Sequence, residues 1–216
     1  MNIRNFINRI DFNGTDPIFP IYNKEIRETL SGPMQIPRMS SETIGGIINW
    51  SVFNMPDNAC YLNIGTWCGF TLFAGMVNNL TKKCIGVDNF SESGGPEKEF
   101  MENFNRHKSP SHQFFKQDYR EYFKIHTEPI GVYYYDGPHT YQDQLDGLTM
   151  AEKFFIDGAI IMVDDTNGAR ERKATFDFLS THPLEYEIIA DLPTPRNSHH
   201  TFHNGLIVLR KTVIKG

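Results

Sequence analysis

The chain has 216 residues, of which 39% are hydrophobic and 22% charged, values ordinary for a single domain that buries its own core without a disulfide or metal staple. Its formal charge of −5 argues against nucleic acid as the main partner, because phosphate backbones are met by basic faces. The opening MNIRNFINRIDF holds no continuous apolar stretch, which argues against a signal peptide, and no apolar run is long enough to span a membrane.

Residues 1–39 are weakly patterned and read as an N-terminal cap over a main domain of residues 40–216. Ile3, Phe6, Ile7 and Ile10 keep helical spacing, a loop with Asn13-Gly14 and Pro17 follows, and Asn23 to Leu30 predicts a short helix. Ser40 or Ser41 can cap a helix carrying Ile44, Ile47, Ile48 and Val52. From residue 59 the pattern becomes regular. Ala59–Ile64 is a short apolar strand, and Phe70–Leu80 a helix. Lys83–Asp88 is the second strand, Pro96–His107 a polar helix and His112–Lys116 the third strand. Ile130–Asp136 is the fourth strand, Tyr141–Phe155 an amphipathic helix, Ala159–Val163 the fifth strand and Glu171–Leu179 a helix. Tyr186–Leu192 and Gly205–Val213 are two strands joined only by a polar loop and should pair antiparallel. Strands alternating with helices predict an α/β fold, a doubly wound, mainly parallel seven-stranded sheet ending in an antiparallel hairpin. Three cysteines cannot pair completely. Cys60 and Cys84 lie in apolar runs and Cys68 in a glycine turn, a usage expected of a reducing compartment, by default the cytoplasm.

Two groups of residues carry chemistry. The first is Gly65-x-x-x-Gly69 between a strand and a helix, with Asp88 at the end of the next strand. Glycines let backbone approach a ligand closely, and an acid at that place can accept hydrogen bonds from ribose hydroxyls. The turn alone is equally consistent with a tight corner that binds nothing; the acid makes it a nucleoside site at the carboxyl edge of the sheet. Gln117 and Asp118, after the third strand, can face an adenine amino group. The second group is Asp136 and His139 after the fourth strand with Asp164 and Asp165 after the fifth. Carboxylates so crowded must protonate or share a cation, and an all-oxygen set suits Mg2+, Ca2+ or Mn2+. His139 can act as a base or orient a substrate. The bland reading makes one Asp a helix cap and leaves the others solvated. His199, His200 and His203 cluster in a polar loop without zinc-ligand spacing.

The pieces Tyr61-Leu62-Asn63-Ile64-Gly65-Thr66-Trp67-Cys68-Gly69, Ile85-Gly86-Val87-Asp88, Tyr135-Asp136-Gly137-Pro138-His139-Thr140-Tyr141 and Val163-Asp164-Asp165 resemble a class I methyltransferase that uses S-adenosylmethionine (SAM). More narrowly, the chain is similar to small-molecule enzymes related to macrocin-type sugar O-methyltransferases and cephalosporin-hydroxylase-like proteins. The resemblance runs from about residue 59 to 210. It implies that Gly65 and Gly69 pass the methionine part of SAM, that Asn63, Thr66 and Trp67 belong to the same cofactor site, and that Asp88 holds the ribose. It implies Mg2+ on Asp136, Asp164 and Asp165, a hydroxylated small-molecule acceptor such as a sugar or glycoside, and Asp136 or His139 as the proton acceptor. At Asn63 the family usually has an acid, which helps hold the cationic end of SAM; Asn supplies no charge there. Three other readings stand beside this one, a non-catalytic SAM or nucleoside binding module, an NAD-dependent oxidoreductase and a structural or partner-binding domain. Residues 1–39, the 89–97 loop and the 193–203 loop are expected to form the acceptor pocket, with Arg170, Arg172 and Arg196 as candidates to face an anionic group. Assembly stays open between a monomer and a homo-oligomer.

Overall fold

The structure, a computed structural model, describes residues 2–8, 24–92 and 94–212. Ile10, the Asn13-Gly14 and Pro17 loop, Asn23 and Val213 lie outside the described residues. The elements run α1 (Ile3–Ile7), α2 (Lys24–Thr29), α3 (Glu42–Asn54), β1 (Cys60–Ile64), α4 (Phe70–Met76), β2 (Lys83–Val87), α5 (Glu97–His107), β3 (His112–Phe115), α6 (Tyr119–Ile125), β4 (Ile130–Tyr135), α7 (Tyr141–Glu152), β5 (Phe155–Asp164), α8 (Ala169–Thr181), β6 (Tyr186–Leu192) and β7 (Leu206–Lys211). Seven strands form one sheet in the order β3-β2-β1-β4-β5-β7-β6. The first five are parallel, and β7 pairs antiparallel with both β5 and β6. The expected hairpin is present, with β7 inside the sheet and β6 at its edge. Among the described residues no helix is long and apolar enough to cross a membrane.

Alternation along the strands sorts the core into two layers. Tyr61, Cys84, Val132, Tyr134, Met162 and Val208 face one side, where α1, α3, α4 and α5 supply Ile3, Phe6, Ile44, Ile47, Leu72, Phe73, Phe100 and Phe104. Leu62, Ile64, Ile85, Tyr133, Tyr135, Ile161 and Leu209 face the other, against Tyr119, Tyr122 and Phe123 of α6, Leu148 of α7 and Phe178 of α8. This two-sided cover is why the strands are continuously apolar. Burying three consecutive tyrosines requires three acceptors. Tyr133 donates to Gly147 O at 2.7 Å, Tyr134 to the Asp164 carboxylate, and Tyr135 to Asp143 O at 2.8 Å.

Helix starts follow the capping chemistry. Ser41 Oγ accepts from Ile44 N at 3.2 Å, and Thr140 Oγ1 accepts from Asp143 N at 3.1 Å. The sequence reading contains no helix between β3 and β4; the structure has α6 there, capped by Asp118, whose Oδ1 accepts from Arg120 N at 2.8 Å. Helix α4 ends at Met76, short of the predicted Leu80, because Val77 turns to extended backbone. The chain winds one way through β1, β2 and β3 and the other way through β4 and β5. The sheet therefore reverses between β1 and β4, the place where doubly wound sheets open a crevice at their carboxyl ends.

Gly147 tests how tightly this frame is packed. A Cβ on it would stand 2.0 Å from Cε2 of Tyr135, a ring that is fully buried and tied by its hydroxyl. Alanine in a helix normally gains up to about 1 kcal/mol over glycine, whereas overpacking a rigid core costs about 1–3 kcal/mol. Gly147→Ala is therefore expected to lower the midpoint of chemical denaturation; an increase would show that Tyr135 has room to move.

Candidate functional site

The crevice opens where the turn after β1 meets the turn after β4. Gly65, at φ +79°, sits so close to the β4 turn that a Cβ would fall 1.8 Å from Asp136 O, so only glycine fits. Asp136 N in return donates to Ile64 O at 2.9 Å. Asp88 fixes the β1 turn from the neighbouring strand. Its Oδ2 accepts from Thr66 N at 2.7 Å, Trp67 N at 2.8 Å and Thr66 Oγ1 at 3.3 Å, while Oδ1 accepts only from Phe90 N at 2.7 Å. Oδ1 thus keeps room for one further donor, and the carboxylate has less free capacity than an acid reserved for both ribose hydroxyls.

The predicted cofactor residues separate into two sets. Gly65, Trp67, Asp88, Gln117 and Asp118 line the cleft, together with Asn89 to Glu92, Tyr119 and Met39. Asn63, Thr66 and Gly69 shape the turn from beneath and do not line it. Asn63 is fully buried; its Nδ2 donates to Gly65 O at 3.1 Å and its Oδ1 accepts from Thr71 Oγ1 at 2.9 Å. At this position the amide ties the turn to α4. Gly69 takes the left-handed conformation that starts α4, at φ +105°. Gln117 is the opposite case, since its buried Nε2 has no partner. A donor in that state is costly unless something accepts from it, and it borders the cleft. The residues present therefore fit an adenosyl group: a glycine approach, one free carboxylate lone pair and an unsatisfied amide donor.

Asp136 and His139 line the same cleft. Among the described residues, Asp136, His139 and Asp165 are the one group of three able to offer ligand atoms all within 4.8 Å of one another. His139 Nε2 is 3.2 Å from Asp165 Oδ2. Asp165 reaches the trio because it leaves β5 in the left-handed region, φ 57°, a conformation costly for a non-glycine residue. Asn204, in the loop before β7, holds it there by donating to Oδ1 at 2.7 Å. The sequence reading groups Asp164 with Asp136 and Asp165; the structure brings His139 to them and turns one oxygen of Asp164 to Tyr134. Asp164 belongs to the strand's alternation and is 2% exposed, with Oδ1 lacking any partner. His199, His200 and His203 gather no such ligand group, and His199 Nδ1 pairs with Thr201 Oγ1 at 2.8 Å. Arg172 is engaged by Asp191 at 2.9 Å, so it is not held for an acceptor. Asn204 and Tyr134 belong to no motif, and no spacing in the sequence points to them.

Burial raises the Asp136 carboxyl well above its ordinary value, and the charges of Asp164, Asp165 and Asp88 push it further. Burial, then the charge of Asp165, raises Asp164 to about 7, against the opposing hydrogen bond from Tyr134. For a cation the fit is chemical: a half-buried acid with a raised pKa, a second acid and an imidazole nitrogen, with ligand atoms all within 4.8 Å of one another.

The comparisons with known proteins agree with the fold. Residues 62–166 match the model of a family described as a methyltransferase domain. An uncharacterized protein of Acanthamoeba polyphaga mimivirus is 28% identical over 152 residues, covering 68% of this chain and 66% of that protein, just under two thirds of its length. Among solved structures, an O-methyltransferase from Bacillus cereus in complex with SAH superposes with a TM-score of 0.62 at 13% identity, covering 97% of each chain. The O-methyltransferase NovP gives 0.62 at 15% identity over 80% of this chain and 81% of that one. These two likenesses are likenesses of fold.

Sign matters for the two raised carboxyls. A raised acid favours the folded state when protonated, so its contribution is complete below the ordinary carboxylate range and is lost as pH rises through the folded value. In cation-free protein, Asp136→Asn removes this penalty. Its gain in melting temperature is expected to be small near pH 4 and to grow toward pH 8; a gain independent of pH would contradict the assignment.

Proposed function

We propose that the chain transfers a methyl group from SAM to an oxygen of a small hydroxylated acceptor, a sugar or glycoside in the first instance; the match of residues 62–166 to a family described as a methyltransferase domain and the order of the sheet support this. The observation that carries the reading is that one cleft contains both ends of the reaction. Gly65, Asp88 and Gln117 line it, and so do Asp136 and His139, two of the convergent trio.

Each residue then has a task. Gly65 lets the cofactor's chain pass against backbone, Asp88 Oδ1 takes a ribose hydroxyl, and Gln117 Nε2 finds its missing acceptor on the adenine. Asp118 and Tyr119, both on the wall, close the adenine side. SAM supplies an electrophilic methyl on a sulfonium, and a divalent ion on the trio would supply a Lewis acid for the acceptor oxygen. Asp136 takes the acceptor's proton, since its half-buried carboxylate lines the cleft beside other acids that raise it; His139 is the second candidate for that role. Holding acceptor and donor in one narrow cleft removes most of the entropic barrier to an in-line transfer. The acidic lining favours a cationic cofactor, so the charge lost at Asn63 is replaced in kind by Asp88 and Asp136.

Two outcomes test this. Isothermal titration with S-adenosylhomocysteine should show binding, and Asp88→Ala should weaken it about tenfold or more, because a charged acceptor is lost and the turn it holds loosens. Equal affinities would remove Asp88 from the site. Transfer of label from SAM to a panel of vicinal diols should fall in EDTA and recover with a divalent ion, with Asp165→Asn lowering activity while S-adenosylhomocysteine still binds. Full activity in EDTA would leave Asp136 and His139 as a metal-free acid–base pair.

A further inference from the structure

We propose that Asp143 is a positioning residue, one that ties the β3–α6 wall of the cleft to the β4–α7 turn through Tyr119 and Thr140. The proposal deepens the reading of the same cleft given above and rests on that reading for what the two walls hold.

The sheet itself leaves these walls unjoined. Gln117, Asp118 and Tyr119 line the cleft after β3, and Gly137, Pro138 and His139 line it after β4. Strands β2 and β1 stand between β3 and β4, so no ladder hydrogen bond connects the two segments. The join is made over one face of the sheet, where α6 and α7 are in contact.

Asp143, in the first turn of α7, makes that join. Its Oδ1 accepts from the Tyr119 hydroxyl at 3.1 Å and from Arg120 Nη2 at 2.6 Å. Its Oδ2 accepts from the hydroxyl of Thr140, the residue after His139, and its N–H donates back to that oxygen at 3.1 Å. Its carbonyl accepts from the Tyr135 hydroxyl at 2.8 Å, which fixes the end of β4 to the same residue. Arg120 reinforces the join. It also donates to Asp146 Oδ2, from Nη2 at 3.0 Å and from Nε at 3.2 Å, and its guanidinium lies 4.6 Å over the Tyr119 ring. Burial raises the Asp143 carboxyl, but hydrogen bonds from Thr140, Arg120 and Tyr119 outweigh burial and hold it below the ordinary carboxylate range. Asp143 is therefore a charged acceptor at neutral pH, and hydrogen bonds to a charge are the stronger kind. It does not line the cleft, so its effect on a ligand passes through Tyr119 and the turn.

The test pairs hydrogen–deuterium exchange of the ligand-free, full-length chain with S-adenosylhomocysteine titration. Asp143→Ala should speed exchange over residues 117–119 as well as 137–140 and weaken S-adenosylhomocysteine binding about tenfold. Asp143→Asn keeps an oxygen for Tyr119 and Arg120, and should return the affinity to within about threefold of the native chain. Tyr119→Phe should also weaken binding. Combined with Asp143→Ala it should cost less than the product of the two single effects, because both remove the same contact. Should circular dichroism show Asp143→Ala unfolded, Tyr119→Phe decides alone: it must speed exchange over 137–140, on the far side of the join. Faster exchange confined to the mutated side, multiplicative effects on affinity, or native affinity in Asp143→Ala overturns the proposal and leaves methyl transfer standing. A native chain that binds no S-adenosylhomocysteine overturns the methyl-transfer reading, and the exchange pattern then decides the join by itself.

Discussion

The contact between Gly65 and the backbone of Asp136 governs the carboxyl edge. With only 1.8 Å available to a Cβ, the turn after β1 is pressed onto the turn after β4, and every other part of the site is placed relative to that contact. Three features hold it from independent directions: Asp88 gathers the N–H groups of Thr66 and Trp67, Asn63 ties Gly65 O to α4, and Asp136 N closes onto Ile64 O. The proposed nucleoside wall and the acid cluster thereby share one cleft.

The same closeness creates an electrostatic problem. Asp88, Asp136, Asp164 and Asp165 come to neighbouring strand ends, and burial removes the water that would screen them. The chain meets this partly by itself. Tyr134 donates to Asp164, Asn204 donates to Asp165, and the β1 turn donates to Asp88. Among the described residues no side chain donates to Asp136 in this way, and burial, then the neighbouring charges, raises its carboxyl. A cationic cofactor and a divalent ion are the two ligands whose charge offsets it, which is why the electrostatics and the proposed reaction point the same way.

Much of the fold was legible. Short apolar runs separated by helical spacing give the parallel sheet, and the absence of a helix between Tyr186–Leu192 and the last strand gives the antiparallel end. Helix α6 was not, because its apolar Tyr119, Tyr122 and Phe123 occupy only two turns among charged residues. The site was legible as a list of residues but not as an arrangement. Consecutive acids such as Asp164 and Asp165 cannot be told apart by spacing when the second leaves strand geometry with φ 57°. Nor does spacing reveal that Asn63 is spent on the turn, since that depends on Thr71, the second residue of α4. Asn204 acts from a loop far away in sequence, where no local pattern marks it.

The central claim is that the β1 and β4 turns build one cleft for cofactor and acceptor, and a crystal structure of the chain with S-adenosylhomocysteine tests it most directly. The account predicts a ribose hydroxyl on Asp88 Oδ1, the adenine within hydrogen-bond reach of Gln117 Nε2, and the sulfur facing Asp136 and His139. A ligand lying elsewhere, or one in this cleft with its sulfur turned away from Asp136 and Gln117 still unpartnered, would contradict it.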